Sequence, residues 1–408
     1  MKINRKRVEQ RFHQLNQIGM APDGGITRLS LSNEDKQARD LFVEWLTELG
    51  LQITIDDLGN IYGTKPGEDN NRKPIVFGSH FDSVPDGGMF DGVLGVLAGL
   101  EIIETIIEKN ISHRQPLIVA NFTNEEGARF PIPMIASGVL GGVYSKEKMY
   151  NLTDNDGKSI KEELERIEYL GQGKNRLKEI EAFMELHIEQ GPVLEQNQKH
   201  IGIVKGIQGL SWLRVHIIGE ADHAGPTPMP SRKDAAITSM RIMLDIHEWV
   251  ESLNDSTIVT FGQIIASPNV VNVIPGKVSF TIDIRHPDAA ALADRKKECL
   301  KRIAFHTNDA DCSWEHEELS EMPPVPFHEP FILDLKDICL KYDYSFQILP
   351  SGAGHDAMHI TRLGPTVMIF VPSVEGKSHN KKELTHWEHI DTAINLMYEW
   401  TEQFVHGR

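Results

Sequence analysis

The sequence predicts an α/β protein, a mostly parallel-sheet α/β/α domain into which a second, ferredoxin-like α+β domain is inserted. Three observations carry this expectation. Short apolar runs such as KPIVFGSH and QPLIVANFT alternate with stretches of helical period, the pattern of successive βαβ units. A middle segment changes rhythm to β-α-β-β-α-β. From Pro323 onward the α/β rhythm resumes. Residues 1–206 and 323–408 are therefore expected to form one domain and residues 207–322 the other, as suits a chain of 408 residues.

Taken in order, the first 60 residues read as a helix, a Gly-rich loop (PDGGITRLS) and an amphipathic helix around EDKQARDLFVEWLTELG. ITIDDLGNIYG, KPIVFGSH and QPLIVANFTNEE resemble buried strands, and the long helical stretch GVLGVLAGLEIIETIIEKN lies between the last two. In the middle segment, LSWLRVHIIGE, STIVTFGQIIA, GKVSFTIDIRH and DCSWEHEELS read as strands. KDAAITSMRIMLDIHEWVESL and DAAALADRKKECLKRIAFH read as its two helices. PTVMIFVPS is expected to be a last buried strand of the first domain.

Lys and Arg number 42 against 59 Asp and Glu, a net charge of −17. That balance argues against nucleic acid or an anionic membrane surface as partner. It leaves room for a small anionic substrate, which one buried Arg can hold locally. Cys299, Cys312 and Cys339 are odd in number and show no C-x-x-C spacing, so free thiols in a reducing compartment are expected. The opening MKINRKRVEQRFHQL is basic but lacks the apolar core of a signal peptide, and no run is long enough to span a membrane. A cytoplasmic protein is the expectation.

Ligands in open parallel sheets gather at the carboxyl ends of strands. His80 follows PIVFG, and Glu125–Glu126 follow LIVANFT, so both fall where a site is expected. A neutral imidazole such as His80 is the commonest nitrogen ligand of zinc-like metals. Asp82 stands where it could accept the other ring N–H and fix the tautomer. Asp91, in MFDG, could bridge two metals or merely cap a helix. Two adjacent acids closing an apolar strand repel each other and are costly to desolvate unless cations neutralise them. Their side chains diverge, so Glu126 is assigned to the metal and Glu125 to general acid/base work; an exposed acidic loop is the alternative. His187 in ELHIEQG and His379 in GKSHN are lone histidines that could join the set or be ordinary loop or core residues.

With these motifs in hand, the chain resembles the hydantoinase/carbamoylase branch of the M20 metallopeptidase superfamily. The resemblance rests on GSHFDSVPDGGMFDGVLGVLAG, FTNEEGARFP, ELHIEQGPVLE, ADHAGPTPM, NVIPG, DIRH, SGAGHDA and GKSHNKKE, in order from about residue 25 to 385. It implies a catalytic domain with an inserted lid that also dimerises. It implies two divalent metal ions per subunit (Zn, Mn, Co or Ni), one held by His80, Asp91 and His187 and the other by Asp91, Glu126 and His379, with Glu125 as the base. It also implies that His223 polarises the scissile carbonyl across a homodimer, that Asn272 and Arg285 hold a substrate carboxylate, and that Gln190 and the backbone at Gly354 complete the pocket. The branch acts on small ureido substrates bearing a carboxylate. At Trp212, allantoate enzymes of this type tend to carry an arginine. A tryptophan there is an apolar wall, which favours an N-carbamoyl-L-amino acid over allantoate, with M20-type dipeptide or N-acyl amino acid cleavage as a further alternative.

Overall fold

In the computed structural model, which describes residues 2–407, two compact units are present. One comprises the chain up to Gly206 together with the part from Pro326 onward, and the other is Ile207–Val325.

The first unit is built on a sheet in which Gln52–Ile55, Ile61–Lys65, Leu117–Phe122, Ile75–His80, Ala182–Ile188, Thr366–Val371 and Ile201–Ile207 lie side by side in that order. The centre is parallel: Ile75–His80 pairs with Leu117–Phe122 and Ala182–Ile188, and Ala182–Ile188 pairs with Thr366–Val371. Every residue of these four strands is buried. That is why they read as continuous apolar runs rather than as alternating ones. The flanking pairs are antiparallel. The expected strand ITIDDLGNIYG is in fact a hairpin, with Ile55 opposite Ile61. Its turn is fixed by buried Asp56, whose Oδ1 accepts the Leu58 and Asn60 N–H groups and whose Oδ2 accepts the Asn60 amide and the Tyr62 hydroxyl. Ile201–Ile207 and Phe346–Ser351 are further strands of this sheet that the periodicity did not pick out.

The helix Val93–Glu108 is buried along most of its length against the sheet. Gly95 and Gly99 permit the approach, because a Cβ on either would lie 2.6 Å from Leu186 O or from Phe77 Cβ. This close seating lets the loop before the helix reach the carboxyl end of Ile75–His80.

The second unit has an antiparallel sheet ordered Ile264–Ser267, Lys277–His286, Gly209–Ile218, Ser313–Met322, with Ile258–Thr260 also paired to Lys277–His286. Its helices are Ala235–Leu253 and Ala289–Asp309, capped by the Asp234 and Asp288 side chains. Along Gly209–Ile218 burial alternates. Leu213, Val215 and Ile217 form one core with Phe280, Ile282, Ile242 and Ile303. The odd members of Gly209–Ile218 are thus the helix-covered face, and Leu210, Trp212, Arg214 and His216 lie on the other. The strand order is that of a ferredoxin-like sandwich.

Candidate metal centre

Asp91 organises the site. It precedes Gly92, whose φ of 67° is left-handed. A side chain at that position would overlap the His80 ring, so glycine is required twice over. Gly92, not Asp91, is the N-cap of Val93–Glu108, and no side chain caps that helix end. The Asp91 carboxylate is thereby free of the capping role open to it in the sequence. One oxygen, Oδ1, lies 3.2 Å from His187 Nε2 and 3.7 Å from His80 Nε2. The other, Oδ2, lies 3.3 Å from His379 Nε2, and the same nitrogen is 3.2 Å from Glu126 Oε2. Two potential cation positions share this carboxylate, His80–Asp91–His187 and Asp91–Glu126–His379, and a third group among the described residues, Glu185–His187–His355, also uses His187.

Each donor comes from the end of a sheet strand or from the loop beyond it. His80 ends its strand, Glu125 and Glu126 follow Leu117–Phe122, His187 is the penultimate residue of Ala182–Ile188, and His379 follows Thr366–Val371. Asn124, Gln190 and His379 all have left-handed backbones, with φ of 57°, 58° and 52°. Non-glycine residues held there mark chain that is bent to aim side chains.

The tautomers are set from outside. His80 Nδ1 lies 2.9 Å from the backbone carbonyl of Asp82, and His187 Nδ1 lies 3.0 Å from that of Ile188. Each Nδ1–H can donate there, which turns Nε2 of each ring toward Asp91. His80 Nε2 then keeps its lone pair. Burial would lower His187, but the Asp91 carboxylate outweighs it and raises the ring to about 9, so that its Nε2 holds a proton a cation would displace. The carbonyl contact of His80 corrects the sequence expectation for Asp82. Its carboxylate stands 3.9 Å from His80 Nδ1 and instead accepts the N–H groups of Glu125 and Glu126, each at 3.2 Å. The short H-x-D turn brings the carbonyl, not the side chain, to the ring.

Glu125 is buried, with Oε2 3.6 Å from His80 Nε2. Burial and then the neighbouring Glu126 push its carboxyl well above the ordinary range. Burial would raise Asp91 too, but His187 and His379 outweigh it and hold that carboxyl well below the ordinary range. Burial lowers His80 to about 4, keeping it neutral as a ligand must be.

A divalent cation fits these residues. His80 Nε2 and Glu126 Oε1 are buried with no hydrogen-bond partner, a costly state for polar atoms that nothing else in the site relieves. Ligands about 2.1 Å from a tetrahedral zinc lie about 3.4 Å from one another; the four histidine–carboxylate separations run from 3.2 to 3.7 Å, and all the donor atoms of each group lie within 4.8 Å of one another.

Gln190 joins the cluster, its amide donating to Asp91 Oδ2 at 2.9 Å. Gly354 lies between Phe346–Ser351 and the helix Asp356–Ile360. Next to it, His355 packs its ring edge on His187 with centroids 4.4 Å apart. In the second unit, His223 pairs with Val273, and Ala224 N donates to Asn272 O at 3.0 Å, so His223 and Asn272 are neighbours. Trp212 and Arg285 lie on the face of the sheet away from the helices, and Trp212 is opposite Asp283. Arg285 pairs with Asp283 at 2.9 Å, the ion-pair environment that a strand-end arginine can also have.

Sequence reasoning did not find Ser378, Glu383, Glu185 and His355, all close to this centre. Glu383 sits among Asn380, Lys381 and Lys382, a composition that reads as a solvated loop, yet its side chain is buried.

Residues 76–403 match the model of the peptidase family M20/M25/M40. The chain belongs to this family. Among M20 relatives, an N-carbamoyl-L-amino-acid amidohydrolase of Rhizobium meliloti is 39% identical over 382 residues, 94% of this chain and 92% of the relative. An allantoate amidohydrolase of Escherichia coli (strain K12) is 34% identical, covering 97% of this chain and 98% of the relative. A crystal structure of a hydantoinase/carbamoylase family amidase from Burkholderia multivorans superposes with a TM-score of 0.93 at 38% identity, covering 99% and 98% of the two chains. The M20 fold accounts for the mostly parallel sheet that presents the candidate ligands.

Proposed function

We propose that this M20 protein is a metal-dependent amidohydrolase that cleaves the ureido C–N bond of an N-carbamoyl-L-amino acid, giving the L-amino acid, carbon dioxide and ammonia. The observation that carries the reading is the division of Asp91, one oxygen toward His80 and His187 and the other toward His379 and Glu126, with Glu125 beside them. His80, Asp91 and His187 would hold one divalent ion, and Asp91, Glu126 and His379 a second, with Zn, Mn, Co or Ni suited to such nitrogen and oxygen donors. Bound there, such ions polarise a carbonyl and acidify a water.

The chain's own groups do the rest. Glu125 takes the proton of the attacking water and returns it to the leaving nitrogen. His223 donates a hydrogen bond to the oxyanion as it develops. Asn272 and the guanidinium of Arg285 hold the substrate carboxylate, Arg285 through its bidentate geometry. Gln190 and the backbone at Gly354 close the pocket. Trp212 offers an apolar wall to the amino-acid side chain, the feature that ranks a carbamoyl amino acid over allantoate.

The second unit, Ile207–Val325, would serve as lid and as the contact between two copies. Ile237, Met240 and Leu244 recur at helical spacing on an exposed face of Ala235–Leu253, and Ile264 and Ile265 are exposed on the edge strand of the sheet. A homodimer would cover both, and His223 would then act on the partner's substrate. Cys299, Cys312 and Cys339 are free, as suits a cytoplasmic enzyme, and no described helix is long and apolar enough to cross a membrane.

Metal-loaded enzyme given N-carbamoyl-L-methionine and allantoate in parallel is expected to release ammonia faster from the first. Faster release from allantoate establishes the alternative, and release from neither, with Mn, Co, Ni and Zn each tried, removes both.

A further inference from the structure

The geometry points to Glu383 as a positioning residue, a clasp that joins the loop carrying Asp91 to the loop carrying His379 and so presets the shared carboxylate. The clasp rests on the two-metal reading above.

Glu383 is 3% exposed and spans both loops with its two oxygens. Its Oε1 accepts the main-chain N–H of Phe90 at 2.8 Å and of Asp91 at 3.1 Å. Its Oε2 meets the Ser378 hydroxyl at 3.1 Å, and that hydroxyl is also 3.0 Å from Asp91 Oδ2. Asp91 is therefore gripped at its backbone by Glu383 and at its carboxylate by Ser378, the residue before His379, whose one hydroxyl proton goes to Asp91 Oδ2 or to Glu383 Oε2 at a time. A carboxylate that must serve two cations needs its rotamer fixed before they arrive, because each oxygen has its own set of partners. Gln190, whose amide also reaches Ser378 Oγ at 3.2 Å, adds to the same grip.

An independent feature of the sequence points the same way. In PDGGMFDG, Gly88 has an ordinary backbone with no left-handed φ, so conformation alone does not call for glycine there. A Cβ at Gly88 would overlap the Glu383 carboxyl group. The glycine is the space through which Glu383 enters.

Groups that orient a metal ligand typically contribute 10–100-fold to metal affinity. Glutamine at 383 preserves the grip: its carbonyl oxygen can accept the two N–H groups and its amide can donate to Ser378, which then donates to Asp91. Alanine preserves none of it.

The test titrates metal-free protein with Co2+ and follows the visible spectrum and the bound metal by elemental analysis, with thermal unfolding of the metal-free form beside it. Wild type is expected to bind two Co2+ per chain, and Asp91→Ala to lose both sites. Glu383→Ala, Ser378→Ala and Gly88→Ala are expected to weaken at least one Co2+ by 10–100-fold, with Glu383→Gln within about fivefold of wild type by the donor and acceptor match just given. Ser378→Ala removes one hydroxyl, so it decides the matter if Glu383→Ala does not fold. The clasp is overturned if Ser378→Ala and a folded Glu383→Ala both bind Co2+ within threefold of wild type, or if Glu383→Gln is as impaired as Glu383→Ala. Wild type that binds fewer than two Co2+, or Asp91→Ala that keeps both, overturns the two-metal reading itself and the clasp with it.

Discussion

Glu125→Gln separates the proposed base from the proposed ligands. The substitution is nearly isosteric in a buried position where the backbone is already fixed: Glu125 N donates to Asp82 Oδ1 at 3.2 Å, and Glu125 O accepts Met134 N–H at 2.7 Å. Both bonds are main-chain on the Glu125 side and survive. None of the atoms assigned to the two cations belongs to residue 125, so the metal content should remain at wild-type level. What disappears is the capacity to accept and return a proton, and positioned acid/base groups contribute about 10²–10⁴ in rate. At about 1.36 kcal/mol per decade that is about 3–5 kcal/mol of barrier. The assay is ammonia release under single-turnover and steady-state conditions, with elemental analysis of the same sample. A kcat within tenfold of wild type in a fully metallated variant would refute the assignment. The adjacent Glu126→Gln is the internal control, because it should lose metal as well as turnover.

Arg285→Ala is expected to raise KM about 10–100-fold, the effect of losing a charge-assisted hydrogen bond of about 1.5–3 kcal/mol, while metal content stays constant; an unchanged KM places the carboxylate elsewhere. Removing metal with a chelator should abolish turnover and lower the thermal midpoint, since a cation that binds only the folded chain stabilises it by mass action. Calorimetry with and without added Zn2+ measures this. His359 is buried, its Nε2 lacks a hydrogen-bond partner, and burial followed by the charge of Arg362 lowers it to about 4. The folded state therefore favours the neutral ring. Its contribution is complete above the unfolded value near 6.5 and is lost as pH falls toward 4, by at most about 3 kcal/mol. Urea midpoints between pH 7 and 4 should accordingly fall less steeply for His359→Gln than for wild type.

The parts of this molecule that can be read in the sequence are those whose surroundings are uniform. Ile75–His80 and Leu117–Phe122 are buried on both faces, so their apolar runs declare both the strands and the strand ends where His80 and Glu125–Glu126 stand. The two-sided sheet of the second unit is equally visible in the alternation of Gly209–Ile218. Ile201–Ile207 is interrupted by two glycines and Lys205, and Phe346–Ser351 is only partly buried, so neither gives a clear period. The role of Asp82 is not legible because sequence spacing does not say whether a turn offers its side chain or its carbonyl. Glu383 was invisible for a related reason. Its neighbours Lys381 and Lys382 are exposed, and only the tertiary fold turns one carboxylate of that run inward.

The order of the strands has a consequence for how the chain is made. Thr366–Val371 pairs with Ala182–Ile188, but the whole of Ile207–Val325 is synthesised between them. A nascent chain can complete the smaller unit, with its sequential strands and helices, while the larger one still lacks a central strand and the loop bearing His379. Until that strand docks, the apolar edge of Ala182–Ile188 is open and one cation position has no imidazole. On the two-metal reading, an ion held by Asp91, Glu126 and His379 would therefore be captured only after this long-range pairing has formed, sealing a finished sheet rather than nucleating it. Truncated or stalled chains should accumulate as species with a folded insert and an open, aggregation-prone sheet edge.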